Sequence, residues 1–164
     1  MVTVGTLSKA LGSLGGYVTG SQPVIDFLRN RAPGWIYTTG LSPADTAAAL
    51  EAVQIVQAEP QRRQALWRNV DRLKDRLDET LDYGEKPAFQ RLPSESPILC
   101  LVGTSAQQVV AASQRFQELG LWVSAVRPPT VPTSRLRITL MATHTEAHLE
   151  RLLAGLAALL HEGD

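Results

Sequence analysis

Hydrophobic positions along the chain follow two rhythms. In residues 61–81, Leu66, Val70, Leu73, Leu77 and Leu81 recur at spacings of three and four, while Arg62, Arg63, Arg68, Asp71, Lys74, Asp75, Arg76, Asp78 and Glu79 take the other faces. That spacing predicts a long amphipathic helix with one buried stripe. The charges alternate in sign, which describes a solvated face rather than a binding patch. Residues 44–58 are Ala-rich and apolar on more than one face, predicting a well-buried helix opened by Ser42 as cap and Pro43 at its first position.

The second rhythm is β-type. Residues 2–4, 16–20, 35–39, 97–103, 121–126 and 135–140 are alternating or continuous β-branched and apolar runs, and each predicts a strand. Ser21 caps a helix that continues through Arg29, and the Pro-Gly pair Pro33-Gly34 ends it. Thr104 or Ser105 caps another, carrying Val109, Val110, Ala112, Phe116 and Leu119 and stopped at Gly120. A capping box of Thr143 with Glu146 starts the last helix, whose apolar positions are Leu149, Leu152, Leu153, Leu156, Leu159 and Leu160. Residues 84–87 predict a turn and residues 92–97 a proline-bracketed loop.

These elements predict an α/β chain in two parts, 1–60 and 61–164, divided near Pro60. The second part, ordered strand, helix, strand, strand, helix after its leading helix, describes a compact α+β domain.

Charge removes several function classes. Sixteen Lys and Arg balance sixteen Asp and Glu, so no overall field favours nucleic acid or an anionic membrane. No apolar run approaches the roughly 20 residues that cross a bilayer, and no signal-peptide pattern opens the chain. One cysteine cannot form an intrachain disulfide, which suits a cytoplasmic protein. Cys100 lies in an apolar run and is expected to be a small core residue. His148 and His161 have no metal-ligand partners at useful spacing, so no metal site is expected, and His144 falls at a helix start where a structural role is expected.

The candidate chemistry begins at Thr6-Leu7-Ser8-Lys9-Ala10-Leu11-Gly12, directly after the first strand. A lysine amine must shed its proton before it attacks a carbonyl, and burial at a strand end favours that. Thr6 and Ser8 place hydroxyls beside it that can bond a phosphate. A serine-lysine S-x-x-K motif is excluded because Thr6 stands three residues before Lys9, and no P-loop pattern is present. In residues 135–140 the alternation puts Arg135, Arg137 and Thr139 on one face. Two arginines on one strand face are costly to bury without an anion, and a guanidinium pairs bidentately with a carboxylate. Between two predicted strands lies Arg127-Pro128-Pro129-Thr130-Val131-Pro132, a stiff, donor-poor loop suited to wall a substrate site.

The lysine segment resembles that of the α-oxoamine synthases, fold-type I pyridoxal-phosphate (PLP) enzymes. Residues 35–43, from Trp35 to Pro43, and residues 127–140 are similar to the same family, in the same order, so the resemblance covers essentially the whole chain. It implies that residues 1–60 are the C-terminal part of a PLP-binding large domain and residues 61–164 a small C-terminal α+β domain. It implies that Lys9 is the Schiff-base lysine and general base, and that Thr6 binds the cofactor phosphate. It implies that Thr38 and Thr39 reach the phosphate in the neighbouring subunit of a homodimer, although on their own they read rather as strand-end hydroxyls making local backbone bonds. The resemblance further implies that Arg137 takes the amino-acid carboxylate, with Thr130 and Arg127 as further substrate contacts. The implied substrates are an amino acid and an acyl-CoA. The biotin-pathway branch, favoured by Arg127-Pro128-Pro129-Thr130, makes them L-alanine and a pimeloyl thioester. Glycine C-acetyltransferase-like and 5-aminolevulinate synthase-like activities stay open, as does a non-catalytic fragment. Family members carry a long N-terminal part ahead of the lysine, so this chain alone is expected to be inactive and to bind PLP weakly.

Overall fold

The computed structural model describes residues 1–81 and 88–161. The turn expected at residues 84–87 lies outside them. The chain divides into two units, Met1–Pro60 and Gln61–Asp164.

In the first unit, β1 (Thr3–Thr6) pairs antiparallel with β2 (Gly16–Thr19), Val4 opposite Val18. Both strands were expected. Helix α1 (Gln22–Arg31) follows Ser21, which occupies the cap position without a side-chain cap bond; Pro23 in the first turn contributes the preset φ instead. The strand expected at residues 35–39 is absent. Residues 33–36 form a one-turn helix, α2 (Pro33–Ile36), in which Ala32 carbonyl accepts from the Trp35 and Ile36 N–H groups. β-propensity expresses packing on a pleated, half-covered surface, and Trp35, Ile36 and Tyr37 are instead exposed. Helix α3 (Pro43–Ala58) starts where expected, with Ser42 Oγ accepting the Asp45 N–H at 3.1 Å. Its expected deep burial is not found. Ala49 alone is buried while Leu50, Val53 and Val56 are exposed, because the unit covers only one stripe of a helix that is apolar on several.

The second unit opens with α4 (Pro60–Leu81), and the expected stripe is its core face: Val70, Leu73 and Leu77 are fully buried, Leu81 nearly so, and Leu66 packs at the margin. A four-stranded antiparallel sheet runs in the order β3 (Phe89–Arg91), β4 (Ile98–Gly103), β6 (Arg135–Thr139), β5 (Ser124–Val126). β3 was not expected from the sequence; three residues are too short for an alternation to register. β5 is shorter than the expected 121–126 run, since residues 121–123 are spent leaving α5 (Ala106–Glu118). There Gly120 adopts φ +71°, donating to the Gln117 carbonyl while the Leu121 N–H reaches Phe116. That pairing is a Schellman stop, which needs the left-handed region open to glycine.

One sheet face carries the core. Leu99, Leu101, Leu136 and Ile138 meet the α4 stripe, Val109 and Phe116 of α5, and Leu149, Leu152 and Leu156 of α6 (Glu146–His161). Each such side chain contributes about 1.5–3 kcal/mol on burial. Ion pairs stitch α4 to α6 at the surface: Arg72 to Glu146 at 2.6 Å, and Arg76 to Glu150. The first of these overturns the expected Thr143–Glu146 capping box. The Glu146 carboxylate points to Arg72, and His148 Nδ1 takes its place by accepting the Thr145 N–H at 3.2 Å.

Candidate active site

The lysine turn spans the connection between β1 and β2. Two backbone bonds close it, Leu7 N–H to Gly15 carbonyl and Ser13 N–H to Leu7 carbonyl, both 2.9 Å. Gly15 holds φ +96°, which lets the chain turn back into β2 without a Cβ penalty. Ser13 Oγ donates to the Asp45 carbonyl at 2.6 Å, fastening the turn to the first turn of α3. Within this frame Thr6 Oγ and Ser8 Oγ share a hydrogen bond at 2.8 Å, and the Ser8 N–H donates to Thr6 Oγ at 3.2 Å. Lys9 follows in a bend, three residues past the end of β1, and is exposed rather than held at a strand end. The turn therefore offers one free amine and two adjacent hydroxyls on a doubly anchored loop. That donor set fits a group carrying an aldehyde and a phosphate: the amine can meet the first, and hydroxyls with backbone N–H groups the second. Thr38 and Thr39 lie in the exposed segment between α2 and α3, outside any strand.

In the second unit, Arg137 sits on the sheet face opposite the core, where β6 alternates as expected: Leu136 and Ile138 are buried, Arg137 and Thr139 exposed. The two arginines of this face differ. Arg135 is half-buried and engaged, its Nε donating to the Thr133 carbonyl at 3.1 Å and its Nη2 to Thr133 Oγ at 2.8 Å. Arg137 has no side-chain partner among the described residues. Arg135 thereby pins the end of the 127–134 loop, which contains a cis Pro128-Pro129 bond and a Thr130 N–H to Arg127 carbonyl bond at 3.1 Å. Arg127 and Thr130 are both exposed on that loop.

Sequence reading missed the neighbours that register assigns to Arg137. Cys100 of β4 and Ser124 of β5 stand directly opposite it on either side. Cys100 is thus half-buried on the open face rather than a core residue, because its alternation partner Leu101 takes the inward position. His144 is structural, as expected. Its Nδ1 accepts the Met141 N–H at 3.3 Å, and its ring meets His148 edge-on with centroids 5.8 Å apart. Among the described residues no cluster of His, Cys, Asp and Glu could hold a metal ion, and no helix is long and apolar enough to cross a membrane.

The mixed α/β fold of this chain is shared with known serine palmitoyltransferases. One from Sphingomonas wittichii superposes with a TM-score of 0.86 at 27% identity, over 98% of this chain and 40% of its own. Another, from S. paucimobilis and solved with PLP and myriocin bound, gives 0.88 at 26% over the same shares. The family model for aminotransferases of class I and II matches residues 1–156, and the chain belongs to that family. It is 57% identical over 157 residues to a putative 8-amino-7-oxononanoate synthase of Trichormus variabilis, and 58% identical over 156 to that of Nostoc punctiforme. These alignments take in 96% and 95% of this chain but 39% and 38% of those proteins, so it spans about two-fifths of the length of the curated relatives it matches.

Proposed function

We propose that this chain carries the cofactor lysine and the carboxylate-binding arginine of a PLP-dependent α-oxoamine synthase. The reaction condenses an amino acid with an acyl thioester, releasing CO2 and the free thiol. The observation that carries this reading is the turn itself, which holds the Thr6 and Ser8 hydroxyls 2.8 Å apart and the exposed Lys9 one residue further on. PLP, when bound, supplies an aldehyde for amines and a ring that withdraws electrons from the substrate Cα. Lys9 Nζ would hold that aldehyde carbon, and Thr6 with Ser8 the phosphate. Thr38 and Thr39 would reach the phosphate of a neighbouring subunit in a homodimer. The Lys9 amine, when not engaged with the cofactor, would be placed to take the Cα proton. Arg137 orients the amino acid by its carboxylate, while Thr130 and Arg127 on the loop contact the acyl substrate.

The names of the relatives point to particular substrates. A product with an amino group next to a ketone and a distant carboxylate is what remains when L-alanine joins a pimeloyl thioester and loses CO2. In this reading residues 1–60 belong to the PLP-binding large domain, residues 61–164 form the small C-terminal domain, and the enzyme is cytoplasmic.

The test uses a protein of the relatives' full length that contains this chain, supplied with PLP, one amino acid and one thioester. Thiol and CO2 release with L-alanine and pimeloyl-CoA, lost in Lys9→Ala, is the expected result. Turnover only with glycine and acetyl-CoA or succinyl-CoA would move the reading to a neighbouring activity. No release with any pair, or release surviving Lys9→Ala, overturns it.

A further inference from the structure

We propose that Ser124 is a second carboxylate-binding residue, its hydroxyl donating to the same anion that Arg137 holds. This rests on the carboxylate role given to Arg137 above.

The sheet register is the starting point. On the open face, Cys100, Arg137 and Ser124 form one row across β4, β6 and β5, and Val102, Arg135 and Val126 form the next. Directly opposed residues in antiparallel strands have Cβ atoms about 4.5–5.5 Å apart. The two rows are chemically unlike. Arg135 stands between two valines and spends its guanidinium on Thr133, whereas Arg137 stands between a thiol and a hydroxyl and keeps its guanidinium unspent among the described residues.

Ser124 is half-buried, and among the described residues its hydroxyl has no hydrogen-bond partner. No buried side-chain nitrogen or oxygen in those residues lacks a partner, so the Ser124 hydroxyl opens to solvent on this face. A guanidinium presents its donors in a plane and satisfies one edge of a carboxylate. The remaining lone pairs of the anion need donors from another direction. A serine hydroxyl one strand away supplies one, while Val126 in the next row cannot. The Cys100 sulfur is a weak donor and adds little.

The chain's single cysteine makes the row measurable without turnover. Iodoacetate and iodoacetamide both alkylate the thiolate, so their rate ratio cancels how much thiolate is present and reports how the site treats a carboxylate. The expected ratio in the 164-residue chain exceeds that of a free thiol in the same buffer. Arg137→Gln should lower it about fourfold, the worth of one charge some 5 Å away in water. Ser124→Ala should lower it about two- to threefold, with Ser124→Thr restoring it, as for one hydrogen bond at a solvated site. Unchanged urea midpoints identify variants that keep the fold. A ratio that falls in Arg137→Gln but not in Ser124→Ala overturns the role of Ser124 and leaves that of Arg137 standing. A ratio that falls in neither overturns both.

Discussion

The side-chain amide of Asn69, buried on α4, donates to the backbone carbonyl of His144 at 2.8 Å. The same nitrogen reaches the Met141 carbonyl at 3.1 Å, so one asparagine gathers both ends of the bend that leads into α6. The core stripe of α4 positions Asn69, being one residue before Val70, and the bend in turn aims the leucines of α6 at the sheet. Removing the amide strands partly buried carbonyls. Asn69→Ala should therefore cost about 1–3 kcal/mol of stability, read as a lower urea midpoint at unchanged slope. A change below about 0.5 kcal/mol would show that water replaces the amide without penalty.

The same bend should titrate. Burial first, and the neighbouring His148 second, hold the His144 imidazole below its ordinary value near 6.5. Its Nδ1 accepts the Met141 N–H, and a protonated Nδ1 cannot accept. The ionisable groups of α6 near it in sequence or lining the same cavity are His148, Arg151 and Glu146, the last paired to Arg72 of α4. The unfolded chain takes up this proton at a higher pH than the folded one. The contribution of His144 is thus complete above about pH 6.5 and is lost as pH falls through the lower folded value. Between about pH 7.5 and 5.5, His144→Asn, which keeps an acceptor but does not titrate, should lose less stability than the parent. Equal losses in the two proteins would assign the acid sensitivity elsewhere.

The elements that were legible in the sequence are those whose signal is periodic and whose partner lies nearby. The α4 stripe needed only its own spacing, and the alternation of β6 sorted Leu136 and Ile138 inward and Arg137 outward. The errors occur where a residue had two partners to choose between. Glu146 could close a capping box or pair with Arg72, and only the packing of α4 beside α6 decides for the ion pair. Trp35, Ile36 and Tyr37 favour a strand by type, but among the described residues no strand pairs with them, and Pro33 starts a helical turn instead. The lysine turn was visible as a motif. Its tether through Ser13 to Asp45, 32 residues on, was not, and neither was the row that places Ser124 beside Arg137.

Lys9 has few competitors, which makes its assignment easy to test. The other lysines of the chain are Lys74 and Lys86, and Lys74 Nζ already donates to the Ser94 carbonyl at 2.8 Å. Treating the chain with PLP, reducing with borohydride and mapping the peptides should place the pyridoxyl group mainly on Lys9. An exposed amine on the same turn as two hydroxyls can meet both ends of the reagent, whereas an isolated amine meets one. Equal labelling of Lys9 and Lys74, or no loss of yield in Thr6→Val with Ser8→Ala, would remove the turn from the cofactor site.

Arg137 and Arg135 share a face but not a task, and their alanine variants should separate. Arg137 is exposed and unpaired among the described residues, so its guanidinium is available to an incoming carboxylate without first breaking a bond. A charge-assisted bidentate pair is worth about 1.5–3 kcal/mol, so Arg137→Ala in the full-length protein should weaken amino-acid binding roughly ten- to a hundredfold while PLP binding holds. Arg135 spends its donors on Thr133, and its loss should loosen the 127–134 loop that carries Thr130 and Arg127. Arg135→Ala should accordingly raise the KM for the acyl thioester more than the dissociation constant of the amino acid. Titrating each variant with the amino acid and following the cofactor absorbance gives one constant, and initial rates against thioester concentration give the other. If Arg135→Ala abolishes amino-acid binding and Arg137→Ala spares it, the two roles are exchanged and the carboxylate sits in the valine-flanked row.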